Sequence, residues 1–299
     1  MISTSLFAVC LDESAPETSE ERARSFMLDD NSNRWNDKSL SFIVCANGVS
    51  GFWGEHSMVD GSTFDQLSRE ISHSITSHEE EDISKTQDHS ISVPCSEYPF
   101  ITTPEITDHI VRTRAHYSAV IANVTFHRLD YKKLGSKYLR SIKWPAKPTF
   151  QMVIQLAAFR FYGTILPAWE IISLRPYLKG RLDIVQVVTP AVRAFCSAMD
   201  DKTTTDGERH TLLLKAIRAH ANATTQASMG RGFDRHLAAL RAVLRDGEHP
   251  PRLFDDPLYV NTRPRKIFTS SLGSGLEEGG SVWRDPDALW ISYDVYDDL

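Results

Sequence analysis

The chain has 299 residues, of which 41% are hydrophobic and 24% are charged, and this composition excludes wholesale disorder and a collagen-like chain. At about 100–200 residues per domain, the length predicts one large domain or two ordinary ones with a real core. The 33 basic and 39 acidic side chains give a formal charge of −6, which disfavours a general nucleic-acid binder.

The cysteines and the apolar stretches bear on the compartment and on membranes. The four cysteines lie far apart and form no C-x-x-C pair, which is typical of reduced thiols and not of a disulfide framework or a metal site. The longest apolar stretch, residues 150–169, is interrupted by Gln151, Gln155 and Arg160, so it is too polar to span a bilayer. No charged-then-apolar leader opens the sequence. We predict a cytoplasmic protein with no transmembrane segment and no metal; a peroxisomal or mitochondrial location stays open.

Two short apolar runs begin the chain. Residues 6–11 (LFAVCL) and 39–45 (SLSFIVC) are rich in β-forming residues and are bounded by polar turns, which predicts two buried strands. Asn47-Gly48 follows the second run and Phe52-Trp53 come next, which predicts a β-hairpin with a two-residue turn.

The composition changes near residue 72. Residues 72–98 are loaded with Ser, His, Asp and Glu and hold few large apolar groups, which predicts a solvated loop or linker. Helical spacing begins near residue 103, where Ile106, Ile110 and Val111 share a face. We therefore expect a first domain over residues 1–71, a polar linker or insertion over 72–102, and a second domain over 103–299.

The second half alternates helices and strands. Periodicity is strongest over residues 150–162, and the predicted buried stripe of that helix is Val153, Ile154, Ala157, Ala158, Phe161 and Tyr162. Further helices are predicted over 211–220 and 233–244, and strands over 267–269 and 290–293. Mixed elements with long helices indicate an α/β fold with layers around a sheet.

One segment stands out as a candidate for chemistry. His56 follows the second hairpin strand, and Asp60-Gly61 come four residues later. Imidazole suits the role of a general base because its unperturbed pKa of about 6.5 leaves a proton-accepting fraction at neutral pH. Asp60 can orient the ring or merely brace the loop. The H-x-x-x-D-G spacing is weak by itself, and a surface-loop histidine is the alternative.

The surrounding residues resemble the carnitine/choline O-acyltransferase family. Six segments lie in the order of that family's N-R-W-x-D-K, E-H-[SA]-x-x-[DE]-G, Q-M-A-L-Q-L-A, S-L-R…G-R-T-[DE], D-R-H-L and S-T-S motifs. They are residues 33–40 (NRWNDKSL), 55–61 (EHSMVDG), 151–157 (QMVIQLA), 173–183 (SLRPYLKGRLD), 230–237 (GRGFDRHL) and 268–270 (FTS).

The resemblance implies a two-domain architecture related to chloramphenicol acetyltransferase. Residues 1–71 would form the end of the N-terminal domain and carry the histidine, and residues 103–299 would form the domain that binds coenzyme A and the acceptor. Compared with the family, we expect the chain to lack the region before the N-R-W segment and the last strand and closing helix.

The resemblance also implies the catalytic roles. His56 would take the proton of an acceptor hydroxyl, or of the coenzyme A thiol in the reverse direction. Asp60 would be its carboxylate partner or a structural residue. Ser270 would donate a hydrogen bond to the tetrahedral oxyanion, an effect worth about 3 kcal/mol where comparable donors have been removed. No acyl-enzyme is implied.

The cofactor residues follow from the basic run 131–143 (YKKLGSKYLRSIK). By resemblance, Lys137, Arg140 and Lys143 would pair with a phosphate of coenzyme A, together with Ser173 of the S-L-R segment. The register departs from the family, whose first lysine aligns with Ser136. From the residues alone, the run is also typical of a solvated basic face.

The acceptor residues depart furthest from the family. Carnitine acyltransferases hold the carnitine carboxylate with a tyrosine, the threonine of G-R-T and the arginine of D-R-H-L. Here these positions are Trp169, Leu182 and Arg235, and Thr269 is the fourth predicted substrate-binding residue. Leu182 has no polar atom, so a charge-assisted bond worth about 1.5–3 kcal/mol is lost. Arg235 is alternatively a structural arginine paired with a carboxylate.

The sequence thus predicts an acyl-CoA-dependent O-acyltransferase with carnitine as the default small-molecule acceptor. One alternative keeps the chemistry but uses a non-carnitine alcohol and a thioester carrier protein, as carnitine-acyltransferase-like domains of polyketide synthases do. The other is an inactive remnant that acts as a binding module, with or without a missing N-terminal half.

Overall fold

The computed structural model describes residues 4–28, 32–78, 100–131, 133–264, 266–271 and 289–293. The chain forms two compact units, Met1–Leu129 and Asp130–Leu299. The first unit therefore extends beyond residue 71 and takes in the helix that the sequence placed in the second domain. The assignment of residues 1–71 and 103–299 to the two acyltransferase domains stays a prediction.

The first unit is built on a three-stranded sheet. Strand β1 is Ala8–Asp12, β2 is Leu40–Cys45 and β3 is Ser50–Gly54. β1 pairs parallel to β2, and β2 pairs antiparallel to β3. Both predicted strands and the hairpin are present, but β1 is not the buried strand that was predicted: Cys10 is buried, whereas Val9 and Leu11 are exposed.

The turn of the hairpin is longer than predicted. The amide of Cys45 donates to the carbonyl of Val49, so three residues and not two form the loop. Gly48 has φ +81°, a left-handed conformation that closes a type I turn with a bulge and that glycine adopts without steric cost. The side chain of Asn47 holds the loop by donating to the carbonyl of Pro16 at 3.0 Å.

The described part of the first unit also contains three helices. They are α1 (Ser19–Ala23), which runs into a π-helical turn over Arg24–Leu28, α2 (Gly61–His78) and α3 (Pro104–Ile121). α2 corrects the expected linker, because residues 72–78 continue this helix. Its apolar residues recur at helical spacing (Phe64, Leu67, Ile71 and Ile75), a signal that the polar composition hid. Of the rest of the expected linker, residues 79–99 lie outside the described residues, and residues 100–102 are exposed and belong to no helix or strand.

Helix α3 belongs to the first unit through hydrogen bonds. The hydroxyl of Tyr117 donates to the carbonyl of Met27 at 3.1 Å. Just beyond the helix, the guanidinium of Arg128 donates to Ser19 Oγ at 2.9 Å. The helix predicted from near residue 103 is confirmed; it begins at Pro104, and Thr103 caps it. The predicted apolar face is not a core face, since α3 buries no residue.

The second unit is built on a four-stranded mixed sheet in the order β5-β4-β6-β7. Its strands are β4 (Ala168–Ser173), β5 (Leu182–Gln186), β6 (Ile267–Ser270) and β7 (Leu289–Ser292). β4 pairs antiparallel to β5 and parallel to β6, and β6 pairs parallel to β7. The two strands predicted near the C-terminus are confirmed.

Six helices of the second unit lie within the described residues. They are α4 (Ser136–Ser141), α5 (Ala146–Tyr162), α6 (Pro190–Asp200), α7 (Asp206–Gln226), α8 (Asp234–Ala242) and α9 (Pro257–Thr262). A π-helical turn over Ala227–Arg231 extends α7, and a 3₁₀ turn over Arg252–Asp255 precedes α9. The three helices predicted here are present, and the α/β class is confirmed.

The two faces of the second sheet bury different clusters. Ala168 and Ile267 pack with the inner sides of α5, α6 and α7. Their strand neighbours Trp169 and Phe268 pack with Ile184 in a second cluster. Because successive side chains of a strand point to opposite faces, each candidate residue of the sheet can be assigned to one of these two sides.

The buried face of α5 corrects the predicted stripe. Val153 is 48% exposed and Phe161 is 81% exposed, whereas Gln151 and Gln155 are buried. The predicted stripe is confirmed at Ile154, which is buried, and is wrong at Val153 and Phe161, because hydrophobicity alone placed it. The amide of Gln151 finds hydrogen-bond partners inside the unit, which allows a polar side chain to take the inner face.

Candidate active site

His56 lies at the corner between β3 and α2. The amide of Glu55 donates to the carbonyl of Ser39 at 3.1 Å, which continues the pairing of the sheet up to the residue before the histidine. The carboxylate of Glu55 accepts from the amide and the hydroxyl of Ser57 at 2.9 and 2.5 Å. These bonds from Ser57 lower the pKa of Glu55 below its ordinary value. The loop that carries His56 is thus fixed on both sides.

Close packing of side chains also holds the corner between β3 and α2 in place. A Cβ atom on Gly54 would meet ring carbons of Phe64 at 2.4–2.7 Å. The ring of Phe64 also lies against Phe52, with centroids 5.8 Å apart. Glycine at position 54 therefore lets the first turn of α2 approach the end of β3, and this approach places His56.

Asp60 precedes the first residue of α2. Its Oδ1 lies 3.7 Å from Nδ1 of His56, with 34% of the histidine side chain and 11% of the aspartate side chain exposed. A separation of 3.7 Å is too long for a hydrogen bond but short enough for a charge interaction with a protonated ring. A carboxylate before a helix N-terminus is also favoured by the helix dipole, so the position fits both roles expected of Asp60.

Ser270 ends strand β6 and is 4% exposed. It pairs with Ser292 of β7, and its carbonyl accepts from the amide of Tyr293 at 3.0 Å. Strand alternation places its side chain on the same sheet face as Phe268 and Trp169. The predicted oxyanion donor thus shares a face with the predicted acceptor residue Trp169.

Thr269 lies on the other face of the strand and is fully buried. Its hydroxyl accepts from the amide of Gln151 at 2.8 Å and donates to the carbonyl of Trp169 at 3.0 Å. A hydroxyl with one donated and one accepted bond is already satisfied. Direct contact of Thr269 with a substrate stays a prediction.

Behind Thr269 lies a buried polar network that the sequence did not reveal. Glu170 Oε2 lies 2.6 Å from Nε2 of His220, and Glu170 Oε1 accepts from the hydroxyl of Tyr293 at 2.6 Å. Burial by itself would raise the pKa of Glu170, but the bonds from His220 and Tyr293 outweigh it and hold the pKa below the ordinary value. The available signal was a charged residue within the apolar strand AWEIIS.

The predicted acceptor residues Trp169 and Leu182 come together. Both lie in the apolar cluster around Ile184. The indole Nε1 of Trp169 is buried and has no hydrogen-bond partner among the residues described. Because both side chains lie in an apolar cluster, Trp169 and Leu182 do not replace the tyrosine and threonine hydroxyls that the family uses at these positions.

The arginine near Trp169 is Arg263, which the sequence did not single out. Its guanidinium lies 5.2 Å from the Trp169 ring centroid and 5.3 Å from that of Tyr259, and it pairs with buried Asp234. Arg235, the predicted carboxylate anchor, is exposed on α8.

The predicted cofactor residues lie on and beside α4. Lys137 and Arg140 are exposed on this helix, and Ser136 and Leu139 form its buried side. Lys143 follows with φ +60°, and the amide of Trp144 donates to the carbonyl of Leu139. This is a Schellman ending with lysine where glycine is usual. Ser173 is exposed at the end of β4.

The described structure also bears on membranes and metals. None of the helices in the described ranges is long and apolar enough to cross a membrane. Within the same ranges, no group of three or more His, Cys, Asp or Glu side chains is arranged to hold a metal ion.

Comparison with known proteins identifies the family. The sequence matches the model of the family described as Choline/Carnitine o-acyltransferase over residues 1–299. It is 35% identical to a highly reducing polyketide synthase of Alternaria alternata over 99% of this chain and 11% of that protein. It is 31% identical to a highly reducing polyketide synthase of Aspergillus luteorubrus over 98% of this chain and 10% of that protein.

Smaller relatives match as well. The chain is 32% identical to the mitochondrial carnitine O-acetyltransferase of Saccharomyces cerevisiae, over 93% of this chain and 42% of that protein. It therefore spans about a tenth of the polyketide synthases and less than half of the acetyltransferase. The chain belongs to the choline/carnitine O-acyltransferase family, whose chloramphenicol-acetyltransferase-like α/β fold the sequence predicted.

Proposed function

We propose that this chain transfers an acyl group between a thioester and an alcohol hydroxyl, with His56 as general base. The observation that carries this proposal is the fixed corner at which His56 lies, with a carboxylate 3.7 Å from its Nδ1. Because Nδ1 is the nitrogen nearer to Asp60, Nε2 is the nitrogen that would take the substrate proton. The family of the chain supports the reaction class.

The proposed reaction needs no covalent enzyme intermediate. The hydroxyl proton passes to Nε2 as the oxygen attacks the thioester carbon. The tetrahedral oxyanion accepts a hydrogen bond from Ser270, and Asp60 stabilises the imidazolium by its charge. The carbon–sulfur bond then breaks, and the thiolate takes the proton back from His56. An ester and a thiol are the products.

Coenzyme A is the thioester carrier that we propose first. Lys137, Arg140 and Lys143 supply three exposed positive charges within seven residues. Ammonium and guanidinium groups bind phosphate through charge-assisted hydrogen bonds. Their positive charge is complementary to coenzyme A, which carries several negatively charged phosphate groups. These residues would hold the carrier, and Ser173 would add a hydroxyl.

The acyl acceptor is either carnitine or another alcohol. Carnitine, our default, presents a carboxylate, and Arg235 is the residue that would bind it. Two observations favour another alcohol. Leu182 and Trp169 form an apolar cluster where a carboxylate would need donors, and relatives that match nearly the whole chain include polyketide synthases. We therefore propose a non-carnitine alcohol as second candidate, with the thioester on a carrier protein.

The acceptor is tested by turnover with matched substitutions. The chain is given acyl-CoA with carnitine and with a panel of uncharged alcohols, and thiol release is followed. Leu182→Thr and Leu182→Val have side chains of equal shape, and only the first restores a hydroxyl. If the site is derived from a carnitine site, Leu182→Thr raises kcat/KM for carnitine about tenfold over Leu182→Val, the worth of one such bond.

The outcomes separate the candidates. Carnitine-dependent release by the unaltered chain supports carnitine. Release only with uncharged alcohols, or only from an acylated carrier protein, supports the second candidate. No release from any donor contradicts acyl transfer by this chain and leaves the inactive binding module as the account.

A further inference from the structure

The buried polar network of the second unit joins five side chains from five segments. These are Gln151 of α5, Glu170 of β4, His220 of α7, Thr269 of β6 and Tyr293, the residue after β7. Each is at most 9% exposed. Polar groups at such depth are costly unless they are hydrogen-bonded, so this arrangement constrains the positions of all five.

The chemistry of the groups fixes the direction of most bonds. The amide nitrogen of Gln151 can only donate, and it lies 2.8 Å from Thr269 Oγ1 and 3.2 Å from the Tyr293 hydroxyl oxygen. Both hydroxyls therefore accept from it and direct their own protons onward. Tyr293 donates to Glu170 at 2.6 Å, and Thr269 donates to the carbonyl of Trp169 at 3.0 Å.

At the histidine end of the network, Nε2 of His220 is the ring nitrogen that faces the carboxylate of Glu170. Glu170 is ionised near neutral pH, since its pKa lies below the ordinary value. His220 Nε2 lies 2.6 Å from this carboxylate and therefore carries a proton. Its Nδ1 is buried and has no partner in the part of the chain described.

The network meets the strand at one point. Thr269 is the residue before Ser270, and the backbone amide of Tyr293 donates to the carbonyl of Ser270 at 3.0 Å. The ring of Tyr293 stacks on Phe150 of α5, with centroids 5.6 Å apart and planes 9° apart. Two members of the network thus hold residue 270, one through the adjacent peptide and one through a hydrogen bond.

We infer that this network is a positioning device for Ser270, anchored on the Glu170 carboxylate. The inference rests on the proposed function in that Ser270 is the oxyanion donor there. Thr269 acts through its neighbour and is a positioning residue, because its hydroxyl is committed to Gln151 and Trp169. Tyr293 holds the carbonyl of Ser270 directly, through its backbone amide. Glu170 and His220 act at a greater distance, because Glu170 accepts from the Tyr293 hydroxyl and lies against His220.

The test removes one hydroxyl at a time from the full chain. Thr269→Val and Tyr293→Phe each delete a single oxygen and preserve the shape of the side chain. Thr149→Val is the matched control, because Thr149 is a buried threonine of α5 whose hydroxyl donates to the carbonyl of Pro145 and not to the network. Each variant is examined by steady-state kinetics and by hydrogen–deuterium exchange of the peptide that contains residues 266–271.

Both readouts have an expected result. Thr269→Val and Tyr293→Phe lower kcat about 10-fold to 100-fold with KM for the thioester within about twofold, because the oxyanion is bound only in the transition state. Both also speed exchange over 266–271. Thr149→Val changes neither kcat nor the exchange rate over 266–271 by more than about twofold, even if it lowers the melting temperature as much as the two network variants do.

The contrary results are equally defined. Exchange over 266–271 that is unchanged in both network variants overturns the inference. Faster exchange with an unaltered kcat also overturns it, since the strand would then be held without consequence for Ser270. If the unaltered chain turns over no substrate, the proposed function fails, and exchange alone decides whether the network holds the strand.

Discussion

Nδ1 of His56 lies 3.7 Å from Oδ1 of Asp60, which is four residues further along the chain and immediately before α2. The two atoms are too far apart for a hydrogen bond, and they are close enough for the carboxylate charge to act on the ring. The charge of Asp60 matters most when His56 carries a proton, which in the proposed reaction is the state formed on attack. In the proposed reaction, Asp60 would therefore lower the free-energy barrier and would not add to the binding of a neutral substrate.

The first prediction concerns that charge. Two opposite charges 4 Å apart attract by about 1 kcal/mol in water and about 4 kcal/mol at an effective dielectric constant of 20. Since a third of the His56 side chain is exposed, we expect Asp60→Asn to lower kcat about tenfold, with KM unchanged. Asp60→Glu, which keeps the charge, should retain more activity than Asp60→Asn. Equal loss in both variants would show that Asp60 only braces the loop.

The second prediction concerns the glycine under the corner. Gly54→Ala places a methyl group against the end of the Phe64 ring, so we expect a loss of about 1–3 kcal/mol in the free energy of unfolding and a lower kcat. Combining it with Phe64→Leu should recover part of both. Gly207→Ala is the control, because a Cβ at Gly207 meets nothing within 4 Å. Urea unfolding measures the effect, and an unaltered midpoint for Gly54→Ala would contradict the packing described.

The third prediction concerns an ion pair of the first unit. Arg34 donates to both carboxylate oxygens of Asp12, at 2.8 and 2.6 Å, with 3% and 12% of the two side chains exposed. The guanidinium lowers the pKa of Asp12 below its ordinary value. At pH 7, Asp12→Asn should therefore cost about 2 kcal/mol in the free energy of unfolding.

The sign of its pH dependence follows from that lowered pKa. The stability given by Asp12 is fully present above the unfolded-state pKa of about 3.9 and is lost as the pH falls through the lower folded-state pKa. Melting temperatures of the unaltered chain and of Asp12→Asn should thus converge on acidification below about pH 4. A gap that stays constant from pH 7 to pH 3.5 would show that the charge of Asp12 is not the cause.

The fourth prediction concerns the cations near α4. Charge reversal by Lys137→Glu with Arg140→Glu should raise KM for acyl-CoA about tenfold or more, because each phosphate then meets a like charge. KM for the matching acyl-pantetheine, which carries no phosphate, should stay within about twofold. Lys215→Glu alters an exposed cation of α7 and serves as the charge control. An equal rise in KM for acyl-CoA and for acyl-pantetheine would show that Lys137 and Arg140 do not bind the phosphates of the carrier.

Local signals in the sequence were sufficient for most of the elements. Asn47-Gly48 between two apolar runs predicts the β2–β3 hairpin, although the extra loop residue depends on the left-handed Gly48 and on the contact of Asn47 with Pro16. The helical spacing that begins near residue 103 predicts α3, and its start is local too, because the cap by Thr103 and the proline restriction of Pro104 act within one turn. The polar composition of residues 72–78 hid the end of α2, whose apolar spacing begins before that stretch.

Long-range pairing was not predictable from one sequence. Gln151 can be buried because its side chain is hydrogen-bonded to Thr269 and Tyr293. Both partners lie more than 100 residues away in the chain, so the sequence around Gln151 does not predict its burial. The same holds for Glu170 with His220 and for Arg263 over Trp169, since each residue looks like an isolated charge in its own segment. His56, Asp60 and Ser270 were found by their motifs, and their roles stay proposals.

The most direct test of this account is thiol release by the unaltered chain and by His56→Ala and His56→Gln, with the acyl donor and alcohol that the chain uses best. A positioned general base contributes about 10²-fold to 10⁴-fold, so we predict a loss of that size in kcat for both variants, with melting temperatures close to that of the unaltered chain. Turnover within about threefold of the unaltered chain in either variant would contradict His56 as the base.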